Sequence, residues 1–387
     1  MLDLRAVRAE LPALERAVYL NTGTAGPLPR RAVAALEEAL AREAGEGRAW
    51  PDLWPLAMER REALRARLAA FLGADPDEIA LTHHTTEGLN IVLWGIEWEP
   101  GDEVVATDAE HEGGLVPLYL LHQRRGVGVR FAPTGDGSEE AVLEGIRRAL
   151  TPSTRLLLLS HVTYSSGARL PLARIAALAH EREVPVLVDG AQSAGAIPVD
   201  VHGLDVDFYA LPGQKWLLGP EGTGALYVRS DRLAALRPAF AGWGSVRHGS
   251  VAADEPRLEL AEGARRFEVG TVFEPGLEAW RASLEWLESL GWAAIFERVG
   301  RLAAYARDRL RELPGLRVTT PANAGGLLHF EVDGSDPVRL LAALRERGFM
   351  LRLTPRPQRF RISTGFFNTE EEIDRLAQAL SELVGSR

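Results

Sequence analysis

Lys215 is the only lysine among 387 residues; the other 43 of the 44 basic side chains are arginine. An amine can lose its proton and condense with a carbonyl, whereas a guanidinium stays charged at any ordinary pH. A solitary lysine is either a leftover of an arginine-rich composition or a position where that difference counts, and its neighbours decide. It stands in "ALPGQKWLLGP", just past the apolar run at 208–211. The preceding apolar run, "VPVLVDGAQSAG", ends in Asp189 and Gly190. A carboxylate at the mouth of a sheet is costly unless it caps a helix or faces a cation. Amine and carboxylate on consecutive strand ends suit a pyridinium cofactor, the carboxylate keeping the ring nitrogen protonated and the ring an electron sink. Gln192, three residues after Asp189, lies near the same face and can donate a hydrogen bond.

A third piece is "IALTHHTTEGLNIVLWG", where a strand ends at Thr82 and Thr85, Thr86, Glu87 and Gly88 open a helix. Hydroxyls and free backbone N–H groups at a helix start suit an anion such as a phosphate, although a plain threonine cap uses the same residues. "VVATDAEHEGGL" then places His111 after the next strand, where an imidazole can stack on a ring. Neither GxGxxG after a strand nor GxxxxGK[ST] occurs, which leaves nucleotide-fold readings without support.

These residues need elements to hold them. Short apolar runs at 79–82, 103–107, 128–131, 155–160, 186–189, 208–211 and 224–229 predict seven strands, and amphipathic stretches at 87–95, 139–150 and 172–182 predict helices between them. Such alternation predicts an α/β fold with a mainly parallel seven-stranded sheet between helices, with ligands at the strand ends. The texture changes after Gly242: a long irregular connection is followed by helices near 277–290 and 292–313. "GLLHFEV", a helix at 337–347, "GFMLRLTP", "RFRISTG" and a last helix then make a smaller α+β lobe. The expected division is a large domain at 16–254 and a small one at 255–387, with residues 1–15 packed on the latter.

Composition narrows the function. A net charge of −10 with dispersed arginines gives no basic face for nucleic acid. No apolar run approaches a membrane span and the charged opening segment has no signal-peptide core, so a cytoplasmic protein is expected. Cysteine is absent, and the nine histidines show no HExxH or related spacing, so no metal is expected.

The ordered set "VLVDGAQSAG", "VDFYALPGQKW" and "GPEGTGALYV" resembles the class V aminotransferase and cysteine desulfurase group of fold-type I pyridoxal-phosphate enzymes, over a stretch from "YLNTGTAGPLP" to "RISTGFFNTEEEID". The resemblance implies pyridoxal 5'-phosphate as cofactor, Lys215 as the Schiff-base lysine, Asp189 on the pyridine nitrogen and His111 stacked on the ring. It puts Gln192 at the ring's phenolic oxygen and Thr85 and Thr86 at the phosphate. Thr271 of "RFEVGT" would join them from a second subunit, which implies a homodimer with shared sites.

Within this group, desulfurases take sulfur onto a mobile cysteine, which this chain does not have. "NIVLWGIEWEPGDEV", "LVDGAQSAGAIPVD", "GWGSVRHG" and "AEGARRFEV" are similar to the cysteine/cystine C–S lyase branch, which implies β-elimination from a small amino acid. Arg361 matches the family's carboxylate arginine and Arg352 a second one in the lyase branch. Arg359 shares a strand face with Arg361 by alternation and is expected at the site or its rim, while Trp243 and Tyr164 are candidate pocket walls. The chain departs from the family where relatives carry a histidine before the lysine and a hydroxyl two positions earlier; here Gln214 and Pro212 stand. "HVTYSSG" likewise puts a serine or tyrosine in place of an asparagine near the phenolic oxygen. The alternatives are an aminotransferase, an epimerase like the isopenicillin N group, and a cofactor-bound regulator without turnover.

Overall fold

The computed structural model describes residues 2–49 and 53–385. Helix α1 (Leu4–Ala9) starts on Asp3, whose carboxylate accepts the N–H groups of Arg5 and Ala6, and β1 (Val18–Tyr19) follows. Helices α2 (Arg30–Glu46) and α3 (Leu53–Leu72) lead into the strands and helices that build the large sheet. These are β2 (Ile79–Thr82), α4 (Thr85–Gly95), β3 (Glu103–Thr107), α5 (Glu112–Arg125), β4 (Gly128–Ala132), α6 (Glu139–Ala149), β5 (Thr154–Ser160), α7 (Leu172–His180), β6 (Val186–Asp189), β7 (Phe208–Pro212) and β8 (Gly224–Val228). The seven expected strands form one seven-stranded sheet in the order β2-β8-β7-β6-β5-β3-β4. Only β8 runs against its neighbours, so the C-terminal ends of the other six strands share one edge.

Strand alternation divides the buried side chains between two cores. On one face Leu157, Leu159, Val186, Val188, Tyr209 and Leu211 pack with side chains of α3, α6, α7 and α8 (Glu274–Leu290). On the other, Leu156, Leu158, Leu187, Phe208 and Ala210 pack with Leu89, Val92 and Leu93 of α4 and Leu118 and Leu121 of α5. A sheet covered on both faces leaves only its edges for polar groups, and the site lies along one of them.

After α8 come α9 (Trp292–Arg311), β9 (Leu316–Val318), β10 (Leu327–Val332), α10 (Pro337–Glu346), β11 (Phe349–Met350), β12 (Arg352–Leu353), β13 (Phe360–Ser363) and α11 (Glu370–Gly385). Strands β12-β13-β10-β9 make a four-stranded antiparallel sheet with its own core of Phe330, Phe360, Ile362, Leu376 and neighbours. β1 pairs with β11, and Val7, Leu11 and Leu14 pack with Trp216, Trp286, Ile295 and Phe367, so the opening segment touches both sheets' surroundings. The stretch at 242–270 is mostly irregular, with two short 3-10 turns, Trp243–Ser245 and Gly263–Phe267.

Candidate active site

The shared strand edge opens on a cavity of about 260 Å³ lined by residues from eight segments, among them Thr24, Thr85, His111, Asp189, Lys215 and Arg361. β6 ends at Asp189, whose Oδ1 accepts the N–H of Ala191 at 2.8 Å. The turn must be glycine at 190, because a Cβ there would stand 2.2 Å from the Tyr209 ring. β7, beside β6, ends at Pro212 and delivers Lys215 three residues later. Burial pushes the Lys215 amine down to about 8; Asp189 opposes that shift and the guanidiniums of Arg361 and Arg352 add to it. Burial raises the Asp189 carboxyl above the usual carboxylate range, while the nearby Lys215 cation and the Ala191 N–H pull it back. A lysine poised near neutrality beside a buried carboxylate is equipped to exchange protons.

Helix α4 points its start at the same cavity. Thr85 is buried and its Oγ1 has no partner among the described residues, so a hydroxyl waits with the free N–H groups of the first turn. The cap is His84, whose Nδ1 accepts the N–H of Glu87 at 3.0 Å. Thr86 lines the cavity beside it. Gln214 supplies a buried Oε1 without a partner in the same lining. Gln192 is held at both ends of its amide: Nε2 donates to the Gly23 carbonyl at 2.8 Å and Oε1 accepts from Trp216 Nε1 at 3.1 Å.

His111 caps α5, its Nδ1 accepting the Gly113 N–H at 2.9 Å, which leaves the proton of a neutral ring on Nε2. Burial pushes its pKa down to about 4, and Lys215, Arg352 and Arg361 press the same way. The ring is therefore neutral at physiological pH. Tyr164 meets it edge-on at 4.7 Å, and the Arg361 guanidinium lies 5.9 Å from the Tyr164 ring centre. Arg361, 1% exposed, donates from Nη2 to Thr24 Oγ1 at 2.7 Å, and Arg352 Nη1 approaches the same hydroxyl at 3.5 Å. Burial, with Arg352 adding to it, lowers Arg361 to about 10. Two guanidiniums converge here without a carboxylate partner among the described residues, so this corner calls for an anion.

Two of the expected residues, Arg359 and Trp243, lie elsewhere. Arg359 turns away from the cavity: its Nε donates to Glu331 Oε1 at 2.7 Å, because the β10–β13 register sets His329 opposite Arg361 and brings Glu331 beside Arg359. Trp243 is half-exposed and rests against Trp54, ring centres 5.0 Å apart, in a separate cavity, since its short turn is tied to the chain at 268–269 by Ser245 Oγ→Glu268 O at 2.9 Å and Gly244 N→Val269 O at 3.2 Å. Thr271 is exposed near Phe273 and Leu40, outside the Lys215 cavity of its own chain. Conversely, Thr24 and His84 line the cavity, and Glu110 is buried next to His111, without a spacing signature for any of them. Only the position of Glu110 beside His111, after a strand, could have drawn attention to it.

Residues 18–376 match the family described as Aminotransferase class-V. A probable cysteine desulfurase of Methanothermobacter thermautotrophicus is 31% identical, with 98% of each chain covered. The isopenicillin N epimerase of Amycolatopsis lactamdurans is 34% identical, with 94% of each covered. Among solved structures, the cystine C-S lyase C-DES in complex with its reaction product cysteine persulfide superposes with a TM-score of 0.91 at 33% identity, covering 96% of this chain and 99% of that one. A C-DES variant with glycine covalently linked to its PLP cofactor gives the same TM-score at 32% identity, covering 97% and 99%. The cavity fits that cofactor on its own chemistry: a cation-ready amine, a buried carboxylate for a pyridinium nitrogen, and an unpartnered hydroxyl at a helix start for a phosphate.

Proposed function

The chain belongs to the class V aminotransferase family of pyridoxal-phosphate enzymes, and on that premise we propose that it is a C–S lyase, eliminating a thiol or persulfide from cystine, cysteine or a related β-substituted amino acid. The observation that carries the reading is a site with its lysine, carboxylate and arginines in place within a chain that contains no cysteine. Desulfuration through a cysteine persulfide on the enzyme needs a sulfur acceptor that is absent from this sequence, whereas elimination releases the sulfur with the leaving group. The similarity to the cystine C-S lyase supports the same choice.

When bound, pyridoxal phosphate supplies an aldehyde that takes up the amino group and a ring that withdraws the electron pair left at Cα. The α4 start with Thr85 and Thr86 would hold the phosphate, Asp189 would hold the proton of the ring nitrogen, and the neutral His111 ring would border the cofactor without repelling its charge. Arg361 and Arg352 bind the substrate carboxylate; the Thr24 hydroxyl sets their approach. Lys215 Nζ removes the Cα proton, which its lowered proton affinity allows near neutral pH. Departure of sulfur from Cβ and hydrolysis then yield pyruvate and ammonia.

The active unit of this reading is a homodimer, with Thr271 of one subunit at the phosphate of the other. What supports it is the exposure of Trp54, Trp243, Phe240, Phe273, Val251 and Leu258, too many large apolar side chains on one chain to leave in water. Sedimentation of the loaded enzyme at twice the chain mass checks that part. For the reaction, purified enzyme is incubated with cystine and pyruvate is measured. Steady pyruvate release supports elimination. Solvent deuterium entering Cα without pyruvate would replace it with an epimerase, the second reading, which the 34% identity to isopenicillin N epimerase favours. Amino transfer dependent on a keto acid would replace both.

A further inference from the structure

Beneath the cavity lies a carboxyl group that the proposed reaction does not use. Glu110 is 7% exposed and sits between the ends of β3 and β5. Its Oε1 accepts the Ser160 N–H at 3.0 Å and the Thr107 hydroxyl, and its Oε2 accepts the Ser160 hydroxyl at 2.7 Å. The next residue is His111, and the residue paired with Ser160 on the neighbouring strand is Asp189. One carboxyl group therefore ties the segment that carries His111 to the strand that pairs with Asp189. A buried carboxylate with no cation against it is expensive, and its three donors favour the charged form while burial and Asp189 oppose it.

We propose that Glu110 is a positioning residue of the cofactor site: its carboxyl clamps the ends of β3 and β5, fixing His111 relative to Asp189, and its charge tunes that of Asp189. It touches neither cofactor nor substrate. The groups that face it are the Thr107 hydroxyl on β3, the Ser160 hydroxyl and N–H on β5, Asp189 on β6 and, beyond Asp189, the Lys215 amine. His161, next to Ser160, is buried and neutral. Burial and Asp189 raise Glu110 to about 7, so it keeps its proton below neutrality and adds a buried negative charge near Asp189 above it. Within the native state, a neutral Glu110 leaves the ring nitrogen's proton to Asp189 alone, and an ionised Glu110 strengthens the hold on that proton. The inference rests on the cofactor site and is independent of whether the reaction is elimination or epimerisation.

The test reads the visible absorption of the loaded enzyme, without substrate, between pH 5.5 and 9. The native enzyme is expected to show a step near pH 7 distinct from the lysine's own. Glu110→Gln keeps the size and an acceptor oxygen but cannot titrate, so the step disappears while melting and circular dichroism report an intact fold. Thr107→Val removes one donor to the ionised form and moves the step upward by about one pH unit. That second variant decides the matter if Glu110→Gln does not fold. A step that persists unchanged in Glu110→Gln, no step in the native enzyme, or a Thr107→Val midpoint equal to the native one overturns the proposal. A group that is only a structural clamp changes the melting temperature and leaves the midpoint alone.

Discussion

Two buried aspartates lie at opposite edges of the same sheet. Asp207, fully buried just before β7, accepts the Val186 N–H at 2.7 Å and meets Arg232 at 2.7 Å, Arg229 at 2.8 Å and His180 at 2.8 Å. Asp189, as deeply placed at the end of β6, accepts one backbone N–H and faces Lys215 across an open cavity. At the first edge every valence of the charge is met by the fold; at the second a partner is missing. A buried charge that the fold satisfies is structural, and one left short is held in readiness for something that binds.

The sharpest way to break this comparison is at Lys215. Lys215→Ala should remove the visible band of the loaded enzyme and cut turnover by at least about 10⁴-fold. Lys215→Arg should do the same, since a guanidinium at this position keeps the charge and cannot give up its proton. Absorption and single-turnover assays check both; a band retained in Lys215→Arg would dismiss the chemical reason offered for the single lysine.

Next in size is the aspartate pair itself. Asp189→Asn is expected to lower kcat by roughly 100-fold or more with little change in melting temperature, because one preorganised charge is lost from an edge that the fold does not rely on. Asp207→Asn should leave the rate per folded molecule near normal and cost about 3 kcal/mol of stability, since Arg229, Arg232 and His180 lose a shared buried partner. Denaturant titration set beside specific activity separates the two. If both variants lost activity and stability in step, the division of the two edges into functional and structural would collapse.

All seven strands of the large sheet were readable from sequence because a strand covered on both faces is a continuous apolar run, and Leu156–Leu159 or Val186–Val188 can be little else. Their ends were readable for the same reason, which put Lys215, Asp189, His111 and Thr85 on one edge. Arg359 shows where such reading stops. Alternation gave it the face of Arg361, yet an acidic neighbour on the adjacent strand, 28 residues earlier in the chain, captures it. Trp243 fails similarly: its turn is anchored to residues 268–269, a long-range contact that no local pattern encodes. Thr24 is an ordinary residue that acquires a role only when Arg361 of the small sheet reaches its hydroxyl.

The arginine corner sharpens the contrast on a smaller scale. Arg361→Lys retains a cation and loses the planar pair of N–H groups, so kcat/KM for an amino-acid substrate should fall about 10- to 100-fold. Arg359→Lys, two residues earlier in the chain and already paired with Glu331, should change it by less than about two-fold. Steady-state kinetics on the two variants, with the loaded cofactor band unchanged in each, decides whether the corner or the strand face binds the carboxylate. An equal loss in both would return Arg359 to the site.

The smallest expected effect is a pH dependence, and it sets two kinds of buried group against each other. His161 bonds the Tyr209 hydroxyl and His329 the Tyr164 carbonyl, and burial pushes each down to about 3. Both are neutral when folded, so below about pH 6.5 the unfolded chain takes up protons that the native chain refuses, and stability falls with pH from there toward 3. The slope is on the order of 1 kcal/mol per pH unit for each histidine. Glu110, raised to about 7, works with the opposite sign: its contribution is present below its ordinary pKa and is lost as pH rises through 7. Between about pH 4.5 and 6.5 these two histidines, together with His111, which burial lowers to about 4, oppose Glu110 and the raised Asp189, so the apoenzyme should lose stability on acidification. Urea titrations of the apoenzyme at pH 5, 6 and 7 measure it. His161→Gln should flatten that slope and Glu110→Gln should steepen it. A slope that moved the same way in both variants would mean that the acid sensitivity of this edge resides in groups other than these.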